Sequence, residues 1–135
     1  MSFVSCIVRQ TEDSQSMARH EALSPADIEG IIREATQRLV KAAHPDEIIL
    51  FGSYARGDFD KDSDLDLLVI LPTVESRFDE MVRLRRVLGD IPMSIDVVVY
   101  SVDRVRDRQN LRGTMLYHAL TEGRVLYGGA AAMSR

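Results

Sequence analysis

The chain has no tryptophan and a single cysteine, Cys6, among its 135 residues. One thiol cannot close an internal disulfide, so this is not a disulfide-stapled secreted scaffold. Long apolar runs are missing as well: nothing approaches the roughly 20 residues of a membrane span. The opening MSFVSCIVRQ lacks the charged start and extended apolar stretch of a signal peptide. Positive charge is in deficit, with Lys+Arg 17 against Asp+Glu 21 and a net charge of −4. That balance argues against holding nucleic acid or an anionic membrane by bulk charge. A cytoplasmic protein is left, long enough for one core and too short for two.

Residues 1–22 are polar and weakly patterned and read as a mobile leader, with a short extended piece at Phe3–Val8. The folded domain is expected over 23–129 and a tail over 130–135. Ser24-Pro25-Ala26-Asp27 offers a capping hydroxyl, a proline at the first helical position and an acid three residues after the cap. Ile28, Ile31, Ile32, Ala35 and Leu39 then recur at helical spacing, and Pro45 bounds that helix. Glu47–Phe51, Leu65–Leu71, Ser94–Tyr100 and Arg124–Tyr127 read as strands. Glu75–Leu88 reads as a helix with Phe78, Met81, Leu84 and Leu88 on its apolar face. Asp103–Leu120 reads as helical with a break near Gly113. The expected fold is α/β (α+β in its segregation): a small mixed β-sheet flanked by helices.

One stretch carries chemistry. The strand Glu47–Phe51 runs into Gly52-Ser53-Tyr54-Ala55-Arg56-Gly57, and Ser63-Asp64-Leu65-Asp66-Leu67-Leu68-Val69 opens the next strand. A glycine at a strand-to-helix turn lets a ligand approach the backbone. Ser53 and the following amides then face an anion, and Arg56 adds a cation, a set that suits phosphate groups. Asp64 and Asp66 alternate onto one face of their strand, roughly 6–7 Å apart. Asp96 sits inside the apolar run Ser94–Tyr100, where a lone carboxylate is costly to bury. If those two strands are neighbours, three carboxylates converge and call for a hard divalent cation such as Mg²⁺. The alternative for Asp96 is an ion pair with a helix arginine. Asp58, Asp60 and Asp62 fit no EF-hand spacing, since Ser63 and Val69 stand where glycine and glutamate are needed, and they read as a solvated loop. No P-loop follows Gly52 or Gly57. His20, His44 and His118 share no metal-ligand spacing.

The ordered pattern G-S-x-A-R-G, then S-D-x-D-L-L-V, then an isolated aspartate in an apolar strand resembles the nucleotidyltransferases of the DNA polymerase beta superfamily. Within it the chain is most similar to the minimal nucleotidyltransferases, small antitoxin partners of HEPN-domain toxins. The resemblance spans roughly Ile28 to Gly128. It implies that Asp64, Asp66 and Asp96 are catalytic and hold two Mg²⁺ ions, with Asp96 helping to activate the attacking hydroxyl. It implies that Gly52, Ser53 and Arg56 bind the nucleotide, with ATP as substrate. It also implies transfer of AMP to a hydroxyl, expected to be a tyrosine, of a HEPN ribonuclease toxin in a type VII-like toxin–antitoxin pair. No direct contact with nucleic acid or membrane is expected. Only about 35 residues follow the third strand, so the acceptor is expected to bring its own binding surface, in a complex with the toxin or in a homo-oligomer. Two alternatives stand beside this reading: a small-molecule nucleotidyltransferase of the aminoglycoside-modifying kind, and a non-enzymatic antitoxin that neutralises by binding.

Overall fold

The computed structural model describes residues 24–60 and 62–128. The expected leader, its Phe3–Val8 piece and the 130–135 tail lie outside the described residues. The chain divides into two compact units, Met1–Gly30 and Ile31–Arg135. In the first, the described part opens helix α1 (Pro25–Ala43). The Asp27 amide donates to Ser24 Oγ at 3.1 Å, and the Ser24 amide donates to Asp27 Oδ2 at 3.1 Å. The expected reciprocal cap is therefore formed.

The other end of α1 shows why it stops. The His44 amide donates to the Val40 carbonyl at 2.9 Å while His44 itself takes φ 47°. This is a left-handed helix terminus, the conformation glycine adopts without cost. Pro45 bars His44 from continuing the helix.

Within the second unit, β1 (Glu47–Phe51) is followed by a single-turn helix α2 (Ser53–Arg56) and then β2 (Leu65–Leu71). Next come α3 (Arg77–Val87), β3 (Ile95–Ser101), α4 (Val102–Arg108), α5 (Met115–Glu122) and β4 (Arg124–Tyr127). The strands form one mixed sheet in the order β3-β2-β1-β4. β1 pairs antiparallel with both β2 and β4, whereas β2 and β3 run parallel. The fold class is as the sequence implied.

Register assigns the side chains to two faces. Ile48, Leu50, Leu65, Leu67, Val69, Leu71, Val97 and Val99 alternate onto one face and are all buried. The opposite face carries Ile49, Leu68 and Ile70, which form a core with Val105 of α4 and with Leu116 and Ala119 of α5. Phe51, Val98 and Tyr100 pack against that cluster.

Two expected helices differ in their limits. α3 starts at Arg77, because the Ser76 hydroxyl caps it by accepting from the Asp79 amide at 3.3 Å. Phe78, expected on the apolar face, is 72% exposed. Arg77 takes the seat on the sheet in its place: its Nε donates to the Val99 carbonyl at 2.6 Å and its guanidinium lies 4.4 Å from the Tyr100 ring centroid. The segment after β3 forms two helices, each with its own cap, Ser101 for α4 and Thr114 for α5. Gly113 turns the chain between them at φ 85°.

Within the second unit α1 and α3 are clasped through their ends. Arg38 of α1 donates to the Val87 carbonyl at 3.2 Å, and Arg83 of α3 donates to the Ala42 carbonyl at 3.1 Å. Each helix thus caps the carboxyl end of the other with a cation, where the helix dipole favours positive charge.

The left-handed His44 gives a stability test. His44→Gly relieves a backbone conformation that costs an L-residue about 1 kcal/mol. A rise in Tm of a few degrees is expected by calorimetry; an unchanged or lowered Tm would contradict this account.

Candidate active site

β1 ends where β2 and β3 begin, so three strand ends meet at one edge of the sheet. Phe51 is the register partner of Asp66, and Asp66 is the register partner of Asp96. Register partners share a face, and neighbouring strands lie about 4.8 Å apart. The two carboxylates therefore project side by side from the face that carries the Ile49–Leu68–Ile70 core. Asp64 stands one residue before β2 and is exposed. Its charge still reaches Asp66. The Asp66 carboxyl is held above its ordinary range, first by loss of solvent, then by the charges of Asp96 and Asp64, with Arg56 pulling the other way.

Gly52 joins β1 to α2 at φ 77° and ψ −156°, a combination essentially reserved for glycine. A Cβ built there would fall 2.2 Å from Asp66 Oδ2. Both the backbone conformation and the contact thus demand a residue without a side chain. Ser53 opens α2, and no side chain caps that helix. The Ser53 hydroxyl makes no intramolecular hydrogen bond among the described residues. Arg56 closes α2 and pairs through Nε with Asp58 Oδ2 at 3.2 Å, with both side chains largely exposed.

The acidic loop after α2 is bound up with itself. Asp60 Oδ1 accepts from the Asp62 amide at 2.9 Å, and the Asp60 amide donates to Ser63 Oγ at 3.0 Å. Asp58, Asp60 and Asp62 are exposed, as a solvated loop would be. Tyr54 does not project freely from the turn: its ring stacks on Phe59 with centroids 4.3 Å apart.

Asp96 is engaged on its other side. Arg85 of α3 donates to its Oδ1, so the helix-arginine pairing weighed for Asp96 is present together with the Asp66 neighbourhood. Among the described residues, no group of three His, Cys, Asp or Glu side chains stands ready-arranged around a metal position.

At the Gly52 turn lies an open cavity of about 400 Å³, lined by Phe51, Gly52, Arg56, Met115, His118 and Glu122. That volume lies in the range of small-molecule sites. His118 Nδ1 lies 3.3 Å from Glu122 Oε2, one turn along α5. From the sequence alone, the helix arginine that meets Asp96 stayed open, His118 was set aside, and Met115 and Glu122 of α5 were missed. Strand parity could have placed Phe51 beside Asp66, but nothing local says that α5 returns to the Gly52 turn.

Residues 30–120 match the nucleotidyltransferase domain family. The chain belongs to that family. Putative protein adenylyltransferase MJ0604 of Methanocaldococcus jannaschii is 36% identical over 83 residues, 60% of this chain and 77% of that one. Putative protein adenylyltransferase MJ0141 of the same organism is 51% identical over 35 residues, 24% of this chain and 35% of that one. Among solved structures, a putative nucleotidyltransferase from Sulfolobus solfataricus superposes with a TM-score of 0.53. Its sequence is 19% identical, and the match covers 91% of this chain and 93% of that chain.

The donor set of this nucleotidyltransferase domain suits a divalent cation of the Mg²⁺ type. Carboxylate oxygens are its preferred ligands, and the Asp66 carboxyl, raised first by loss of solvent and then by the charges of Asp96 and Asp64, is one that such an ion would stabilise in its ionised form.

Two predictions follow from the geometry. Gly52→Ala should destabilise the fold by about 1–3 kcal/mol in a denaturant titration, since the backbone conformation is retained only under strain. Asp66→Asn should raise Tm at neutral pH in chelator-treated protein. The folded pKa of Asp66 lies above its unfolded value, so its ionised form opposes folding at any pH above both. That penalty fades as pH falls through them, so the advantage of Asn should vanish below about pH 4. A melting series against pH that shows no gain at neutral pH would refute the combined cost of burial and repulsion described for Asp66.

Proposed function

We propose that this nucleotidyltransferase domain transfers AMP from ATP to a hydroxyl group of a partner protein, a tyrosine of a HEPN ribonuclease toxin, and so acts as its antitoxin in the cytoplasm. The observation that carries the reading is the parallel register of Asp66 with Asp96 beside the Gly52–Ser53 turn. The names of the two Methanocaldococcus jannaschii relatives support AMP transfer to protein. The hydroxyl acceptor and the HEPN partner rest on the family resemblance of the Gly52–Val69 motif.

In this reading Ser53, the amides that open α2 and Arg56 receive the phosphates of ATP. Gly52 lets them come close to the backbone. Asp64, Asp66 and Asp96 would hold two Mg²⁺ ions, which supply charge neutralisation at the attacking and leaving oxygens. The acceptor hydroxyl attacks the α-phosphorus, and the bond to the β-phosphate oxygen breaks as pyrophosphate departs. Asp96 takes the proton that the hydroxyl gives up, which requires that its carboxylate be ionised at the moment of attack. The cavity lined by Phe51, Met115 and His118 offers room for the nucleoside beside these phosphates.

Intact-mass spectrometry of the co-expressed partner should show the added mass of AMP with the wild-type chain. Asp64→Asn combined with Asp66→Asn should lower the modified fraction by about 100-fold or more. An unmodified partner in the presence of the intact chain would sink the assignment. Neutralisation that survives the double substitution would favour action by binding alone.

A further inference from the structure

α3 carries four arginines, and three of them are accounted for without reference to the acid cluster. Arg77 is spent on the Val99 carbonyl and the Tyr100 ring, and Arg83 on Glu80 and the Ala42 carbonyl. Arg86 is exposed and makes no ion pair among the described residues. Arg85 is different: its guanidinium is in contact with Asp96 and with no other acid among the described residues. Both side chains of the pair are 48% exposed. An ion pair so open to water gains little from its own attraction, so its significance lies in its place beside a second carboxylate, whose repulsion it offsets. The carboxylate it grips is the register neighbour of Asp66.

We propose that Arg85 is a positioning residue for the candidate metal centre, acting through Asp96. It holds that carboxylate by charge through Oδ1, must give it up when a divalent cation takes that oxygen, and so sets how tightly the acid cluster binds the ion. The proposal rests on the reading of Asp64, Asp66 and Asp96 as metal ligands. The physical reason is competition. An Asp96 oxygen in contact with a guanidinium can also ligate a cation only by bringing two positive charges together, which is costly at contact distances. The benefit of the contact is that Asp66 and Asp96 need not face each other uncompensated when divalent ion is scarce.

The test uses the full chain with Mn²⁺ as the probe and no nucleotide, binding being read by electron paramagnetic resonance. Arg85→Gln should bind Mn²⁺ roughly threefold or more tighter than wild type. Arg85→Lys, which keeps the charge, should stay near wild type. Arg86→Gln, one position along the same helix, controls for the loss of one positive charge and should move the affinity less than Arg85→Gln does. In thermal melts Arg85→Gln should lower Tm in chelator, and saturating Mg²⁺ should restore it to the wild-type value. A merely structural ion pair would lower Tm equally in both conditions. Unchanged or weaker Mn²⁺ binding by Arg85→Gln, or an equal gain from Arg86→Gln, overturns the proposal. If Mn²⁺ binding is lost in Asp64→Asn with Asp66→Asn yet unmoved by Arg85→Gln, the acid-cluster reading survives and the role of Arg85 falls. Binding that persists in that double variant overturns both.

Discussion

The parallel pairing of β2 with β3 is the constraint on which the site depends. In register, it sets Asp66 against Asp96 and Leu68 against Val98 on one face, and Leu67 against Val97 on the other. A slip of one residue would turn Asp96 toward the fully buried face and expose its apolar neighbours. The apolar residues on both faces therefore hold the two carboxylates in place. Parallel strands also require a crossover connection, and here that connection contains α3. The same topological need that aligns the two aspartates thus delivers Arg85 to one of them.

A second consequence is that local costs to stability gather where the three strand ends meet. The interior of the sheet is saturated with Leu, Ile and Val, and it can carry a conformation open only to glycine and a repelling carboxylate at its margin. Gly52 adopts a backbone conformation that would strain any other residue, and it does so where Asp66 leaves no room for a side chain. Such a concentration of local cost at one place is the usual mark of a functional site.

Much of this was legible in the sequence, because the signals were local. Ser24 and Asp27 announced the start of α1, and β-branched runs bounded by Gly52 and Pro72 announced β1 and β2. Asp66, Asp96 and Gly52 could be singled out because a carboxylate in an apolar strand and a glycine at a strand end have few structural excuses. The rest depended on packing between distant segments. Phe78 followed the helical spacing of Met81 and Leu84, yet Arg77 won the contact with β3 by pairing with a carbonyl and a ring together. The choice of Arg85 over Arg83 and Arg86 for Asp96 depends on the rotation of α3 about its axis, which composition does not encode. The return of α5 to the Gly52 turn depends on sheet order, with β4 beside β1 rather than beside β3.

That rotation of α3 is itself held by the clasp with α1. Arg38 serves three acceptors at once: Glu34 through Nε, and the Val87 carbonyl and Asp90 through its terminal nitrogens. The fan of donors on a planar guanidinium can span an acid one turn back, a carbonyl on a second helix and an acid beyond it. An ammonium group on a flexible stem offers a single point from which to reach them. Lysine at position 38 would keep the charge and lose the span, so the seating of α3 asks for the shape of arginine as much as for its sign.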